Sequence, residues 1–92
     1  MIRSFATKDT QAHFEDRPVR RFRAIERVAR RKLLYLNRAR TLDDLQAPPG
    51  NRLETLAGDR RGQHSIRIND QWRVCFRWER GDAYDVETVD YH

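Results

Sequence analysis

Cysteine is nearly absent from this 92-residue chain, which contains only Cys75. One cysteine excludes an internal disulfide and a metal cluster held by several thiolates. Because Cys75 lies in the middle of an alternating apolar run, we expect it to be a small buried residue rather than a nucleophile. No two histidine or cysteine residues have a spacing typical of metal ligands, and neither a glycine-rich phosphate loop nor a nucleophile elbow is present.

Long apolar runs are also missing. No segment approaches the roughly 20 apolar residues that a membrane-spanning helix needs, and the N-terminus has no signal-peptide core. Glycine (four residues) and proline (three) are scarce, and internal repeats and linkers are absent. We therefore expect one domain, residues 1–92, that works in the cytoplasm without a membrane.

Negative charge is in short supply. Lys and Arg number 19 against 14 Asp and Glu, a net charge of +5, which favours partners such as nucleic acid, ribosomes or anionic membranes. Residues 18–40 hold nine basic residues and one acidic residue. Like charges at i,i+4 destabilise a helix, so we expect RNA or an acidic protein to cover this region, although a solvated helix face is the simpler alternative. The basic residues taken to face a partner are Arg20, Arg23, Arg27, Arg30 and Arg31.

The first half of the chain has helical signals. Residues 1–6 are predicted to form a starter strand, and Thr7 or Asp9 is expected to cap a short helix that ends near Pro18. An apolar stripe with spacings of three and four residues predicts a second helix. The segment Thr41–Asp44 has the form of a capping box, which predicts one more helical turn. The stripe comprises Phe22, Ile25, Ala29, Leu33 and Leu36, broadened by Val28.

The second half has strand signals. Apolar residues recur at every second position in residues 64–68, 72–78 and 84–86, which predicts strands, and residues 51–56 are predicted as a further one. The turns between them predict a four-strand antiparallel meander. The fold class is therefore α+β: an N-terminal strand, two helices, a one-turn helix and the meander, with the helices on one sheet face.

The last hairpin suggests a site. With Trp78 opposite Ala83, Arg73 falls opposite Thr88, on the face that also carries Asp90 and His92. An arginine, a carboxylate and an imidazole are the parts that RNA cleavage by its own 2′-hydroxyl requires: a donor to phosphate, a base and an acid. A one-residue slip reverses this arrangement, and Arg73 could instead pair with a carboxylate across the strands.

Several segments together resemble one family. These are residues 51–56, residues 58–73 with the run Gly58-Asp59-Arg60-Arg61-Gly62, and the ending Val89-Asp90-Tyr91-His92. They resemble the HigB/GraT-type toxins of the RelE/ParE toxin–antitoxin superfamily, and the likeness extends over nearly the whole chain.

The resemblance implies a RelE-like fold and an endoribonuclease that cuts mRNA in the A site of the 70S ribosome, with no metal or other cofactor. It implies inhibition by a HigA-like helix-turn-helix antitoxin, through which the toxin reaches operator DNA only indirectly. It assigns the catalytic roles to Glu54, Arg73, Asp90, Tyr91 and His92. The contacts to RNA or ribosome that it implies are Arg60, Arg61, Arg67 and Arg73.

The chain departs from the family's pattern at two positions. A well-known version has histidine where this chain has Glu54 and lysine where it has Ala57, so this toxin is expected to be slow or mild. Two other functions stay open: a ParE-like inhibitor of DNA gyrase, and a basic RNA- or DNA-binding module without catalysis.

Overall fold

A computed structural model describes residues 1–91, so His92 lies outside the described residues. The sheet has four antiparallel strands in the order β1-β2-β3-β4, in which every strand pairs with the next along the chain. The predicted α+β meander is therefore confirmed. The helices are α1 (Lys8–Phe14) and α2 (Glu26–Arg38), the strands are β1 (Glu54–Thr55), β2 (His64–Arg67), β3 (Trp72–Glu79) and β4 (Asp82–Asp90), and four 3-10 turns span Arg20–Ile25, Leu42–Gln46, Pro49–Asn51 and Gly58–Arg60. None of the helices in residues 1–91 is both long enough and apolar enough to cross a bilayer.

The N-terminal segment joins the sheet only lightly. Ile2 and Phe5 form isolated parallel bridges to Ala83 and Val86 of β4, so the predicted starter strand exists as two bridges rather than a full strand. The backbone N–H of Ile2 also donates to Asn37 of α2 at 2.9 Å. The segment thus links the last strand to the main helix.

The helix signals are largely confirmed. The Thr7 hydroxyl accepts from the N–H of Thr10 and caps α1, which ends at Phe14, a few residues before Pro18. The second helical segment differs from the prediction, because residues 20–25 form a 3-10 turn before α2 begins at Glu26. The residues of the predicted stripe are nevertheless buried: Phe22, Ile25, Ala29, Leu33 and Leu36.

The capping box is present as predicted. The Thr41 hydroxyl accepts from the N–H of Asp44, and the Asp44 carboxylate accepts from the N–H groups of Arg40 and Thr41. The bond from the Arg40 backbone is the largest cause that lowers the pKa of Asp44. The capped turn, Leu42–Gln46, is part of the connection between α2 and the first strand of the sheet.

The core lies between the helices and one face of the sheet. Ile66, Val74, Phe76, Ala83 and Val86 on the sheet cluster with the apolar stripe of α2. The alternation that predicted β2 and β3 is thus confirmed. Cys75 is buried and unpaired as predicted, and burial raises the pKa of its thiol.

A β-bulge in β4 changes the predicted register. Trp78 lies opposite Ala83 as predicted, but the pairing shifts between Cys75 and Arg77, so that β4 contains one extra residue. Asp85, at φ +53°, lies at this irregularity. The bulge explains why Ala83 and Val86 are both buried at a spacing of three, and why Tyr84, predicted to alternate with Val86, is not on the core face.

Candidate active site

The bulge decides which residues share the sheet face that the helices leave uncovered. Arg73 lies opposite Val89 and not opposite Thr88, which faces the core together with Val74. Because directly opposed residues point to the same side of a sheet, the pairs between the strands define an open face. On the side of the bulge that contains Arg73, its members are Glu54, Ser65, Arg67, Arg73, Cys75, Glu87 and Val89.

Arg73 is held firmly on the open face. Its Nε donates to the Ser65 hydroxyl at 2.8 Å, and its Nη2 donates to the backbone carbonyl of Arg52 at 2.7 Å. The side chain is only 12% exposed. A guanidinium has five N–H donors and these bonds use two of them, so donors remain for a phosphate oxygen. Arg73 is therefore both oriented in advance and chemically able to bind phosphate.

Glu54 lies beside this guanidinium. A Glu54 carboxylate oxygen is 3.8 Å from Arg73 Nη2, and the Glu54 side chain is 55% exposed. The structure thus brings together two of the predicted catalytic residues, one positive and oriented, the other negative and open to solvent. This arrangement can bind a phosphodiester and accept a proton next to it.

Arg60 approaches the open face from the loop between β1 and β2. Its Nη1 lies 3.3 Å from the Glu87 carboxylate and 3.1 Å from the side-chain oxygen of Gln63. The side chains of Arg60 and Glu87 are both 29% exposed. Arg60 therefore has an internal anionic partner, whereas Arg61, next to it, is exposed.

The end of β4 forms the wall of a cleft of about 340 Å³. Gln71 donates to the Asp90 carboxylate at 3.0 Å, and the backbone N–H of Tyr91 donates to the Gln71 carbonyl. The side chain of Tyr91 is among the exposed large apolar groups, at 41%. Residues of the β1–β2 loop form the opposite wall, and the cleft is lined by Ala57, Asp59, Arg60, Val89, Asp90 and Tyr91.

The predicted grouping of Arg73 with Asp90 and His92 on one face requires correction. Asp90 lies opposite Trp72, which alternates with Arg73 along β3, because the bulge has shifted the register by one residue. Asp90 reaches the candidate site through the cleft at the strand end instead. The prediction for His92 falls outside the described residues.

The other residues predicted to contact RNA, the ribosome or the antitoxin have partners other than Arg73. Arg67 forms an ion pair with Asp70 in the β2–β3 turn, although it lies opposite Arg73 on the open face. On the helical side, Arg30 is tied to Asp16 and Glu26 and donates to the His13 carbonyl. The other four predicted basic residues are exposed and form what we call the basic stripe: Arg20, Arg23, Arg27 and Arg31.

Sequence reasoning missed three groups that shape the site. Ser65 and the Arg52 carbonyl orient Arg73, and Gln71 binds Asp90. Ser65 has a usable signal, because it shares the parity of Arg67 on β2 and so faces the same side. The carbonyl has no sequence signal, since every residue has one.

Metal-ligating side chains do not converge here. Within residues 1–91, no group of three or more His, Cys, Asp and Glu side chains could hold a metal ion. The candidate site thus consists of an oriented guanidinium, nearby carboxylates and a cleft that ends at an aromatic residue.

Solved structures with the same arrangement of elements are known. The chain is similar over its full length to a chain of the YoeB-YefM complex from Staphylococcus aureus, with a TM-score of 0.58, 14% identity and 98% of that chain covered. A second structure, a heterotetrameric YoeB-YefM toxin-antitoxin complex from the same organism, matches with a TM-score of 0.59 and the same identity. These likenesses define a RelE-like toxin fold.

Sequence comparisons identify the family. Residues 3–92 match the model of the HigB-like toxins, described as the RelE-like toxin of type II toxin-antitoxin system HigB. Toxin HigB-1 of Vibrio cholerae is 40% identical over 88 residues, which are 94% of this chain and 93% of that protein. Endoribonuclease HigB of Proteus vulgaris is 44% identical over 41 residues, 45% of each chain. The chain therefore belongs to the HigB-like toxin family, the toxins of type II toxin–antitoxin systems.

Proposed function

We propose that this toxin is an endoribonuclease that cleaves mRNA on the ribosome and so inhibits translation and growth. The observation that carries the proposal is the oriented guanidinium of Arg73 beside the Glu54 carboxylate on the open face. Support also comes from the name of the Proteus vulgaris relative, an endoribonuclease. The cell compartment that follows is the cytoplasm, where messages are translated.

The proposed reaction uses the 2′-hydroxyl of the RNA as the nucleophile. A base removes the 2′-OH proton, the 2′-oxygen bonds to phosphorus, and the bond from phosphorus to the 5′-oxygen breaks as that oxygen receives a proton. The products are a 2′,3′-cyclic phosphate and a free 5′-hydroxyl. Arg73 stabilises the negative charge that develops on the phosphorane oxygens.

The other roles follow from geometry and family resemblance together. Glu54 is the proposed base because its exposed carboxylate lies 3.8 Å from Arg73. Asp90 and Tyr91 line the adjoining cleft, where the tyrosine can stack on a base or donate to phosphate. His92, assigned by the resemblance alone, is the proposed acid for the leaving oxygen.

Ala57 suggests a modest rate. This residue lines the cleft at the position where a well-known version of the family pattern has a lysine. A methyl group supplies no positive charge to the phosphorane, so one source of transition-state stabilisation is missing.

The exposed Arg61 and the half-buried Arg67 are the proposed contacts to the 70S ribosome and the mRNA, together with Arg60 and Arg73.

Primer extension on a reporter message in a reconstituted translation system tests the proposal. We expect cuts with the wild-type toxin only when ribosomes translate the message. With His92→Ala we expect the cuts to fall by about 10²-fold or more, since a general acid contributes roughly 10²–10⁴ in rate.

Two results would contradict the nuclease. Growth arrest without any cut would favour a ParE-like block of DNA gyrase, which a supercoiling assay would then reveal. RNA binding with a steep salt dependence and no cleavage would favour a binding module without chemistry.

The basic stripe is the proposed docking surface of a HigA-like helix-turn-helix antitoxin, through which the toxin contacts operator DNA indirectly. The four arginines are exposed and follow one another at spacings of three and four residues. Such a row of like charges is unfavourable in the free toxin and becomes favourable against acidic side chains.

Charge reversal tests this docking surface. Arg27→Glu with Arg31→Glu is expected to weaken antitoxin binding by at least about tenfold, because like charges are then opposed across the interface. The matched control is Arg80→Glu, an exposed basic residue of the β3–β4 turn. Equal affinities of both variants in titration calorimetry would exclude the stripe as the docking surface.

A further inference from the structure

Asn51 is a fully buried polar residue that the catalytic proposal does not use. Its side-chain amide donates to the carbonyls of Leu45 (3.2 Å) and Ala47 (3.1 Å), while its oxygen accepts from Lys32 Nζ at 2.6 Å. One side chain thus ties together the end of one 3-10 turn, the segment after it and helix α2. Buried polar networks in which every group is paired fix one conformation of a chain.

The segment that Asn51 holds has few other anchors. Residues 46–50 are all exposed, and Gly50 has open space around it. Asn51 closes the turn with its own N–H, which donates to the Pro48 carbonyl at 2.9 Å. After the turn, Leu53 is partly buried and packs against the core.

The same segment provides the partners of Arg73. Arg52, which follows Asn51, has a left-handed backbone at φ +44°, and its carbonyl accepts from Arg73 Nη2. Two residues later, Glu54 lies 3.8 Å from that same nitrogen. Any displacement of the turn therefore moves a hydrogen-bond acceptor and the proposed base together.

Lys32 plays a secondary part. The residue is 6% exposed, and burial, followed by the charges of Arg31 and Arg67, lowers its pKa. Its bond to the Asn51 oxygen gives the ammonium one acceptor, whereas the two bonds from the Asn51 amide are those that hold the turn.

We propose that Asn51 is a positioning residue for the reaction: its amide clamps the Pro48–Arg52 turn so that the Arg52 carbonyl and Glu54 hold the Arg73 guanidinium in its reactive orientation. This inference rests on the nuclease proposed above. It assigns a role in catalysis to a side chain that lies under the sheet edge and has no contact with the substrate.

Three variants separate the clamp from general stability. Asn51→Ala removes the clamp, and Asn51→Asp keeps the partner of Lys32 and the side-chain volume but loses both donors. Lys32→Met keeps the clamp and removes the ammonium. A fourth variant, Ile25→Val, trims the core on the helical side and serves as a stability control.

Single-turnover cleavage on translating ribosomes is the first readout. Asn51→Ala and Asn51→Asp are each expected to lower the rate at saturating toxin by about 10-fold to 100-fold, since a displacement of about 1 Å can cost that much. The toxin concentration for half-maximal rate should stay the same. Lys32→Met and Ile25→Val are expected to remain within about threefold of the wild type.

The second readout does not depend on activity. In the ¹H–¹⁵N spectrum of the free toxin, the Nε–H of Arg73 should exchange slowly with water because it donates to the buried Ser65. We expect this protection to fall at least about fivefold in both Asn51 variants and to persist in Lys32→Met.

The two readouts together give distinct outcomes. Unchanged protection and rates in Asn51→Asp, with a lowered unfolding temperature, would overturn the inference and leave Asn51 a structural residue. Lost protection with normal cleavage would overturn it as well, because orientation of Arg73 would then not govern the rate. If the wild-type toxin itself makes no cuts, the proposed nuclease fails, and the exchange data alone decide whether Asn51 orients Arg73.

Discussion

Arg73→Ala is expected to lower the rate of mRNA cleavage by about 10²–10³-fold, the cost of removing one preorganised donor to a developing oxyanion. The physical reason is that the guanidinium is held by Ser65 and by the Arg52 carbonyl before substrate arrives. No reorganisation is then needed as charge builds up on the phosphate. Single-turnover primer extension with purified ribosome complexes measures the loss.

Arg73→Lys distinguishes charge from geometry. Lysine keeps the positive charge but cannot reach both Ser65 and the Arg52 carbonyl while it also presents donors to phosphate. We expect Arg73→Lys to recover less than about a tenth of the wild-type rate. A fully active Arg73→Lys variant would show that cleavage needs only a positive charge at this position and not the oriented guanidinium.

Arg77→Ala is the matched control. Arg77 lies four residues further along β3 and is exposed, and the hydrogen bonds that hold Arg73 do not involve it. We expect cleavage within about threefold of the wild type. The free energy of unfolding should be measured for both variants, because Arg73→Ala leaves the buried Ser65 hydroxyl without its donor, at a cost of about 1–3 kcal/mol.

Asp85→Val is expected to lower the free energy of unfolding by about 1–3 kcal/mol, because a β-branched residue adopts the positive φ of the bulge only at such a cost. The register cannot relieve this strain, since regular pairing that keeps the extra residue turns the rest of β4 over from the Trp78–Ala83 pair onward. Val86 and Thr88 would then face outward, and the Glu87 carboxylate would face the core. Exposing Val86 alone costs about 1.5–3 kcal/mol, and burying an unpaired charge costs several more.

The sum of these costs is comparable to the whole stability of a small domain, roughly 5–15 kcal/mol. The bulge also carries the contacts of the N-terminal segment, since the N–H of Asp85 donates to the Ser4 hydroxyl and that of Val86 to the Ser4 carbonyl. Asp85→Val is therefore expected to strain the bulge and to leave the register unchanged. Circular dichroism during urea titration provides the measurement.

Asp85→Gly is the control for Asp85→Val. Glycine adopts a positive φ without steric cost, so the bulge is kept and the stability is expected to stay within about 1 kcal/mol of the wild type. An Asp85→Val variant as stable as Asp85→Gly would contradict the requirement for a positive φ at this position.

Local signals in the sequence were enough for most of the fold. The apolar stripe of α2, the capping box at Thr41 and the alternation in β2 and β3 each depend on residues a few positions apart, and all three are present in the structure. The Trp78–Ala83 pair was equally predictable, because a short turn fixes the pairing next to it.

The ends of the helices and strands were harder to predict from the sequence. Residues 20–25 carry the helical stripe but form a 3-10 turn, and the strand predicted over 51–56 is reduced to Glu54–Thr55. Asn51 belongs to the turn because its side chain binds Lys32, Leu45 and Ala47, partners that lie up to 19 residues away. Periodicity contains no information about such bonds.

The candidate site was also predictable only in part. The residue types came from sequence and family resemblance, and Glu54 and Arg73 lie together as expected. Tertiary structure alone decided that Arg73 shares its face with Glu87 and Val89 and that Asp90 lines the cleft at the end of β4. The physical reason is the bulge, because one extra residue accommodated in β4 reverses the facing of every residue beyond it. The energy that selects this register comes from burying Val86 and Thr88, which lie beyond the bulge, against helices distant in the chain.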